Sequence, residues 1–63
     1  MTKLEKLYQN MADTLEQGMT DLEKFEAGNM SAGTRVRKNM QTIKDLAQKV
    51  RLTVQEQKNA VAN

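Results

Sequence analysis

Two runs of apolar residues at alternating spacings of four and three, separated by one break, constrain this chain more than any other feature. The first run is Leu4, Tyr8, Met11, Leu15, Leu22 and Phe25, with Gly18 in the remaining slot and Leu7 and Met19 widening the stripe. The second is Val36, Met40, Ile43, Ala47, Val50, Val54 and Val61, with Gln57 in one slot and Leu46 beside it. This spacing lays a stripe along one face of an α-helix, whereas a half-buried strand would alternate by two. The chain has no Pro and is dominated by Lys, Glu, Gln, Met, Leu and Ala, all good helix formers. Thr2-Lys3-Leu4-Glu5 has the form of a capping box, in which the Thr hydroxyl and the Glu carboxylate each accept from the other's backbone amide. At Ala27-Gly28-Asn29 the pattern breaks. Gly28 can take the left-handed conformation that ends a helix, and either Asn29 or Ser31 can cap the next one. The reading predicts helix one over about 3–27, a turn over about 28–31 and helix two over about 32–59, with Asn59–Asn63 fraying.

Two long helices joined by a short turn fold back on each other. The predicted fold class is therefore all-α, an antiparallel two-helix hairpin forming one domain over 1–63. The alternative, one continuous helix through Gly28, has Gly28, Asn29, Ser31 and Gly33 against it. A chain of 63 residues is marginal as a lone domain, and this one has no Cys and no His, so disulfides and the usual zinc ligands are absent. Self-association is the remaining route. The expectation is a homodimer forming a four-helix bundle, with Leu4, Tyr8, Met11, Leu15, Leu22, Phe25, Val36, Met40, Ile43, Ala47, Val50 and Val54 as its combined hairpin and dimer core. The five Met residues read as gap fillers in this core and not as a metal box.

Several function classes lack their raw material. Catalysis is without its commonest general base and its best nucleophile, Ser31 is the only serine, and no phosphate-binding glycine loop is present. No enzyme activity, metal, cofactor or small-molecule substrate is expected. No apolar run exceeds Ala60-Val61-Ala62, far short of the about 20 residues of a membrane span or the about 7–15 of a signal peptide. A cytoplasmic chain with no membrane partner follows as an expectation.

Charge is the functional signal. Residues 1–29 carry Lys3, Lys6 and Lys24 against Glu5, Asp13, Glu16, Asp21, Glu23 and Glu26, a net of −3. Residues 30–63 carry Arg35, Arg37, Lys38, Lys44, Lys49, Arg51 and Lys58 against Asp45 and Glu56, a net of +5. Within the basic half, Arg37, Lys44, Arg51 and Lys58 recur every seven residues and share one flank of helix two with Thr34, Gln41, Gln48 and Gln55. This makes a cationic ridge with one charge per two turns, about 10.5 Å apart, thickened at its start by Arg35 and Lys38. Asp45 interrupts it and can pair with Lys49. Two readings compete. Long cations alternating with amides suit phosphate oxygens, and helix amides near Ser31–Thr34 can add a contact. The same residues also occupy ordinary coiled-coil flanking positions, where Glu16, Asp21, Glu23 or Glu26 can neutralise them. Gly18 reads as a point of close helix approach opposite a bulky residue; Gly33 reads either as a loop residue or close packing at the hairpin end, or as a place where the backbone nears a phosphate or a partner helix.

The string Glu26-Ala27-Gly28-Asn29-Met30-Ser31-Ala32-Gly33-Thr34-Arg35-Val36-Arg37-Lys38, followed by Ile43-Lys44-Asp45-Leu46-Ala47-Gln48-Lys49-Val50-Arg51, resembles the bacterial linker-histone-like nucleoid proteins over about residues 8–58. The resemblance implies a small DNA-compacting protein with a helical N-terminal region, located in the nucleoid. It carries nucleic-acid contact to Arg35, Arg37, Lys38, Lys44 and Arg51, to which the ridge adds Lys58. That family often has a long Lys/Ala-rich tail; this sequence stops at Asn63 without one, so a short, tailless member is expected. The implied partner is duplex DNA, bound without base reading and with strong salt sensitivity. The competing class is a helical protein-interaction or structural module with no nucleic-acid role.

Overall fold

A computed structural model describes residues 1–62, with Ala62 by its backbone alone. It contains two helices, α1 (Lys3–Glu26) and α2 (Met30–Ala62), and no strand among the described residues. They pack antiparallel as a hairpin measuring 54 × 19 × 10 Å between Cα extremes, a single layer of helices.

Both ends of α1 are set by the residues expected to set them. The Thr2 hydroxyl accepts from the Glu5 amide at 3.1 Å, and the Glu5 carboxylate accepts from the Thr2 amide at 2.9 Å, completing the capping box. That backbone amide, followed by the Thr2 hydroxyl, holds the Glu5 carboxyl below the usual glutamate range. A carboxyl whose folded pKa is depressed adds stability above its unfolded pKa, and the contribution is lost as pH falls through the folded value. The first turn of α1 is therefore expected to loosen on acidification to below the ordinary glutamate range. The Thr2 amide resonance, followed by NMR, should titrate with it and lose that dependence in Glu5→Ala. At the other end Gly28 has φ +106°, and the Asn29 amide donates back to the Lys24 carbonyl while the Gly28 amide donates to that of Phe25. This pair of bonds closes the helix with a left-handed residue, a conformation that glycine alone adopts freely. Of the two candidate caps Asn29 is the one used: its Oδ1 accepts from the Ala32 amide at 3.3 Å and from the Ser31 hydroxyl at 2.8 Å. Helix two thus starts at Met30 rather than about 32 and continues to Ala62 rather than about 59, so 59–62 extend the helix instead of fraying; Asn63 lies outside the described residues.

Between the helices the structure departs from a single apolar stripe. The least exposed positions of α1 are Leu4, Leu7, Met11, Thr14, Gly18 and Asp21; those of α2 are Ala32, Gly33, Val36, Asn39, Ile43, Leu46, Ala47, Val50 and Thr53. Ala32 and Thr53 alone are buried among the described residues, at 0% and 6% exposure. The line where the helices touch is therefore small and partly polar. Six of the twelve expected core residues (Tyr8, Leu15, Leu22, Phe25, Met40 and Val54) are exposed in the hairpin, Tyr8 by 66% and Leu15 by 50%. They lie beside the contact line because each helix is turned so that small and polar residues share that line with Leu4, Leu7, Met11, Val36, Ile43, Leu46 and Val50.

The small residues permit close approach. Asn39 reaches across to donate from Nδ2 to the Thr14 carbonyl at 2.7 Å, and it occupies the space a side chain on Gly18 would need. The residue opposite Gly18 is thus Asn39, whose amide fills the space. At the turn, the Phe25 ring covers Gly33, where an added Cβ would lie 2.8 Å from two ring carbons. Gly18→Ala should gain roughly 1 kcal/mol of helix propensity, yet it must displace Asn39 and leave its amide unsatisfied at a cost of about 1–3 kcal/mol. A lower Tm in thermal unfolding is the expected net result; a higher one would show that Asn39 moves aside freely.

Such a hairpin has little core. Its radius of gyration is 15.3 Å, against about 11 Å for a compact chain of this length. It exposes 5106 Å², roughly 1,000 Å² more than a compact monomer of 7.2 kDa.

Candidate nucleic-acid interface

The two broad faces of the hairpin differ in kind. One carries Tyr8, Leu15, Met19 and Leu22 from α1 and Met40, Ala47, Val54 and Val61 from α2, which line a series of shallow apolar depressions along its length. The other is polar: Lys3, Lys49 and Glu56 surround Leu7 and Leu52 there, and Arg35 meets Asp21. The long edges differ by charge, because α1 holds most of the acids and α2 most of the bases.

The cations from the sequence are all on the surface. Arg35, Arg37, Lys38, Lys44, Arg51 and Lys58 are exposed, and so is Lys49. Arg37, Lys44, Arg51 and Lys58 form one row on α2, next to the apolar row of Met40, Ala47 and Val54. Accordingly Arg37, Arg51 and Lys58 each edge one of the apolar depressions. The ridge therefore borders the apolar face, a relation that heptad spacing did not give without the true contact line.

Internal neutralisation is slight. Among the described residues the one ion pair is Arg35 to Asp21, with Nε donating to Oδ1 at 2.7 Å and the two side chains 47% and 25% exposed. The expected partner of Lys49 is occupied otherwise, since Asp45 Oδ1 accepts from Gln41 Nε2 at 3.1 Å. Glu16, Glu23 and Glu26 are exposed on α1 and form no ion pair with the ridge of their own chain. Arg35 is thus partly committed to holding the hairpin, through a side chain that also reaches solvent, while Arg37, Lys38, Lys44, Arg51 and Lys58 form no ion pair among the described residues. At the start of α2 the Ala32 amide is already taken by Asn29, which removes one of the donors considered for phosphate.

No cluster of acidic residues suited to a metal ion occurs among the described residues, and no helix there is long and apolar enough to cross a membrane. No curated protein and no solved structure matches the chain. The family model described as Histone H1-like protein Hc1 matches residues 5–60, covering most of both helices, the turn and all six candidate contact residues. The chain belongs to this bacterial histone-like family of DNA-binding structural proteins, which is not a family of enzymes.

Proposed function

We propose that the chain is a nucleoid-associated protein of the bacterial cytoplasm that binds duplex DNA without base specificity through the α2 ridge, acting as a homodimer that bridges or compacts DNA. The observation that carries this reading is the row of cations on α2 left unpaired by the acids of α1, in a chain of a DNA-binding family. Lys and Arg at about 10.5 Å intervals meet successive phosphates by charge, and neighbouring Gln41, Gln48 and Gln55 can donate to phosphate oxygens. No aromatic side chain stands on the ridge, whose cations alternate with Thr34, Gln41, Gln48 and Gln55, which supports backbone contact over base stacking.

Phosphate neutralisation releases condensed counterions, so affinity must fall steeply with salt. With about four to six contacts per chain, the slope of log K against log salt should be about −4 to −5 per bound chain. That corresponds to a loss of roughly 250- to 1,000-fold between 50 and 200 mM salt. Fluorescence anisotropy of a labelled random-sequence duplex, titrated at several salt concentrations, measures it directly. Absence of binding even at low salt would overturn the reading and leave a helical protein-interaction module.

A further inference from the structure

The apolar face and the surplus of exposed surface call for an occupant. We infer that it is a second copy of this chain, packed so that α2 of each copy lies over α1 of the other, with both turns at the same end of the bundle. This rests on the dimer proposed above and adds its geometry, which decides where the two ridges point.

Area identifies the occupant. The face spans about 54 by 19 Å and the chain exposes about 1,000 Å² beyond a compact monomer, close to the roughly 800 Å² per partner of a standard interface. A second hairpin has the same length and the same apolar face, and stacking two single-layer hairpins gives the four-helix arrangement.

Two face-to-face arrangements obey two-fold symmetry. An axis across the helices stacks α1 on α1 and α2 on α2; an axis along them stacks α2 on the partner's α1. Two independent observations select the second. The first is charge: the ridge of Arg37, Lys44, Arg51 and Lys58 borders the apolar face, so α2 on α2 would set one cationic row against its copy. The row bordering the face on α1 is Glu5, Ala12, Met19 and Glu26, which offers carboxylates and apolar surface instead. Like charges in register at an interface are disfavoured and opposite ones select the partner.

The second observation is side-chain size. On this face α1 presents Tyr8, Leu15 and Leu22, whereas α2 presents Met40, Ala47, Val54 and Val61, of which Ala47 is the small one. Facing layers pack best when large groups meet small ones. An axis along the helices preserves height, and within one chain Tyr8 and Leu15 share a depression with Ala47. The partner's Tyr8 and Leu15 therefore arrive at the level of Ala47, where the room is.

The consequence is functional. With α2 diagonally opposed to its copy, the two ridges face opposite sides of the bundle, so one dimer can hold two duplexes. The rejected arrangement places both ridges on one side, facing a single duplex.

The absence of native cysteine makes the test clean. Single variants Ala12→Cys and Ala47→Cys are oxidised separately and after co-refolding as a mixture, without DNA. The expected result is a disulfide-linked heterodimer in the mixture with little linkage of either variant alone. Dominant Ala47→Cys homodimer would overturn the arrangement, and a monomer in analytical ultracentrifugation would overturn the dimer beneath it. The locked heterodimer, added to bead-bound duplex, should then retain a free labelled duplex at least several-fold above the level of duplex alone. If it binds single duplexes and never retains the second, opposed ridges are overturned; if it binds none, DNA binding fails while the cross-link still stands.

Discussion

Reversing Arg37, Lys44 and Arg51 to glutamate is expected to abolish duplex binding at physiological salt and to flatten its salt dependence. Each reversal changes the charge by two, taking the formal net charge from +2 to −4. Removing three phosphate contacts should reduce the magnitude of the log–log salt slope by about three. The remaining slope, near −1 to −2, would correspond to about one or two residual contacts, for which Lys38 and Lys58 are placed. The side chains are exposed and unpaired in the chain, so the hairpin itself should keep its helicity by circular dichroism. Arg35 is excluded from the set because its bond to Asp21 ties the helices together, and its loss would confuse binding with folding. An unchanged slope with reduced affinity would mean that the ridge acts only through the overall field and makes no contact.

How much of this was readable in advance depends on which residues carried each feature. The helices, the turn and its glycine were legible because each has a local cause: the capping box at Thr2 and Glu5, and the positive φ at Gly28. The row of cations was legible as spacing, since a heptad repeat is a property of one helix; whether the acids of the other helix neutralise it was not, since that depends on how the two pack. The line of contact was not. Pattern reading follows the apolar groups, and here Tyr8, Leu15, Leu22, Phe25, Met40 and Val54 lie beside the contact line while Thr14, Gly18, Ala32, Asn39 and Thr53 sit on or next to it. These small and polar residues themselves recur at the helical period, 14 to 18 and 32 to 39 to 53, and that recurrence was the available signal. It is weak because closeness between Gly18 and Asn39 depends on a bond to the Thr14 carbonyl across the hairpin, which no single helix contains. The proximity of the ridge to the apolar face followed only once that line was known.

Placing charge on the apolar face should give the second large effect. Leu15→Glu with Met40→Glu alters two residues of one depression that are 50% and 46% exposed in the single hairpin. In a lone chain both carboxylates can stay hydrated at little cost. In a dimer both lose their water, at up to about 3–5 kcal/mol for each charge left uncompensated, enough to weaken association by roughly 100-fold per substitution. Sedimentation equilibrium at micromolar concentration should find a monomer, and Tm should fall and lose its dependence on protein concentration. A variant that stays dimeric with unchanged Tm would move the interface elsewhere; a monomer that keeps its Tm would show that the hairpin needs no partner. The effect on DNA then separates the roles of face and ridge. A dimer gains from holding DNA at two places, an advantage of about 10²–10⁴ that a monomer forfeits. Yet the monomer retains all its ridge cations, so its salt slope per bound chain should stay near that of the parent while its affinity falls. The ridge variant behaves in the opposite sense, with dimerisation intact and slope lost. Affinity alone would confuse the two variants, and the slope keeps apart the residues that meet phosphate from those that meet a second chain.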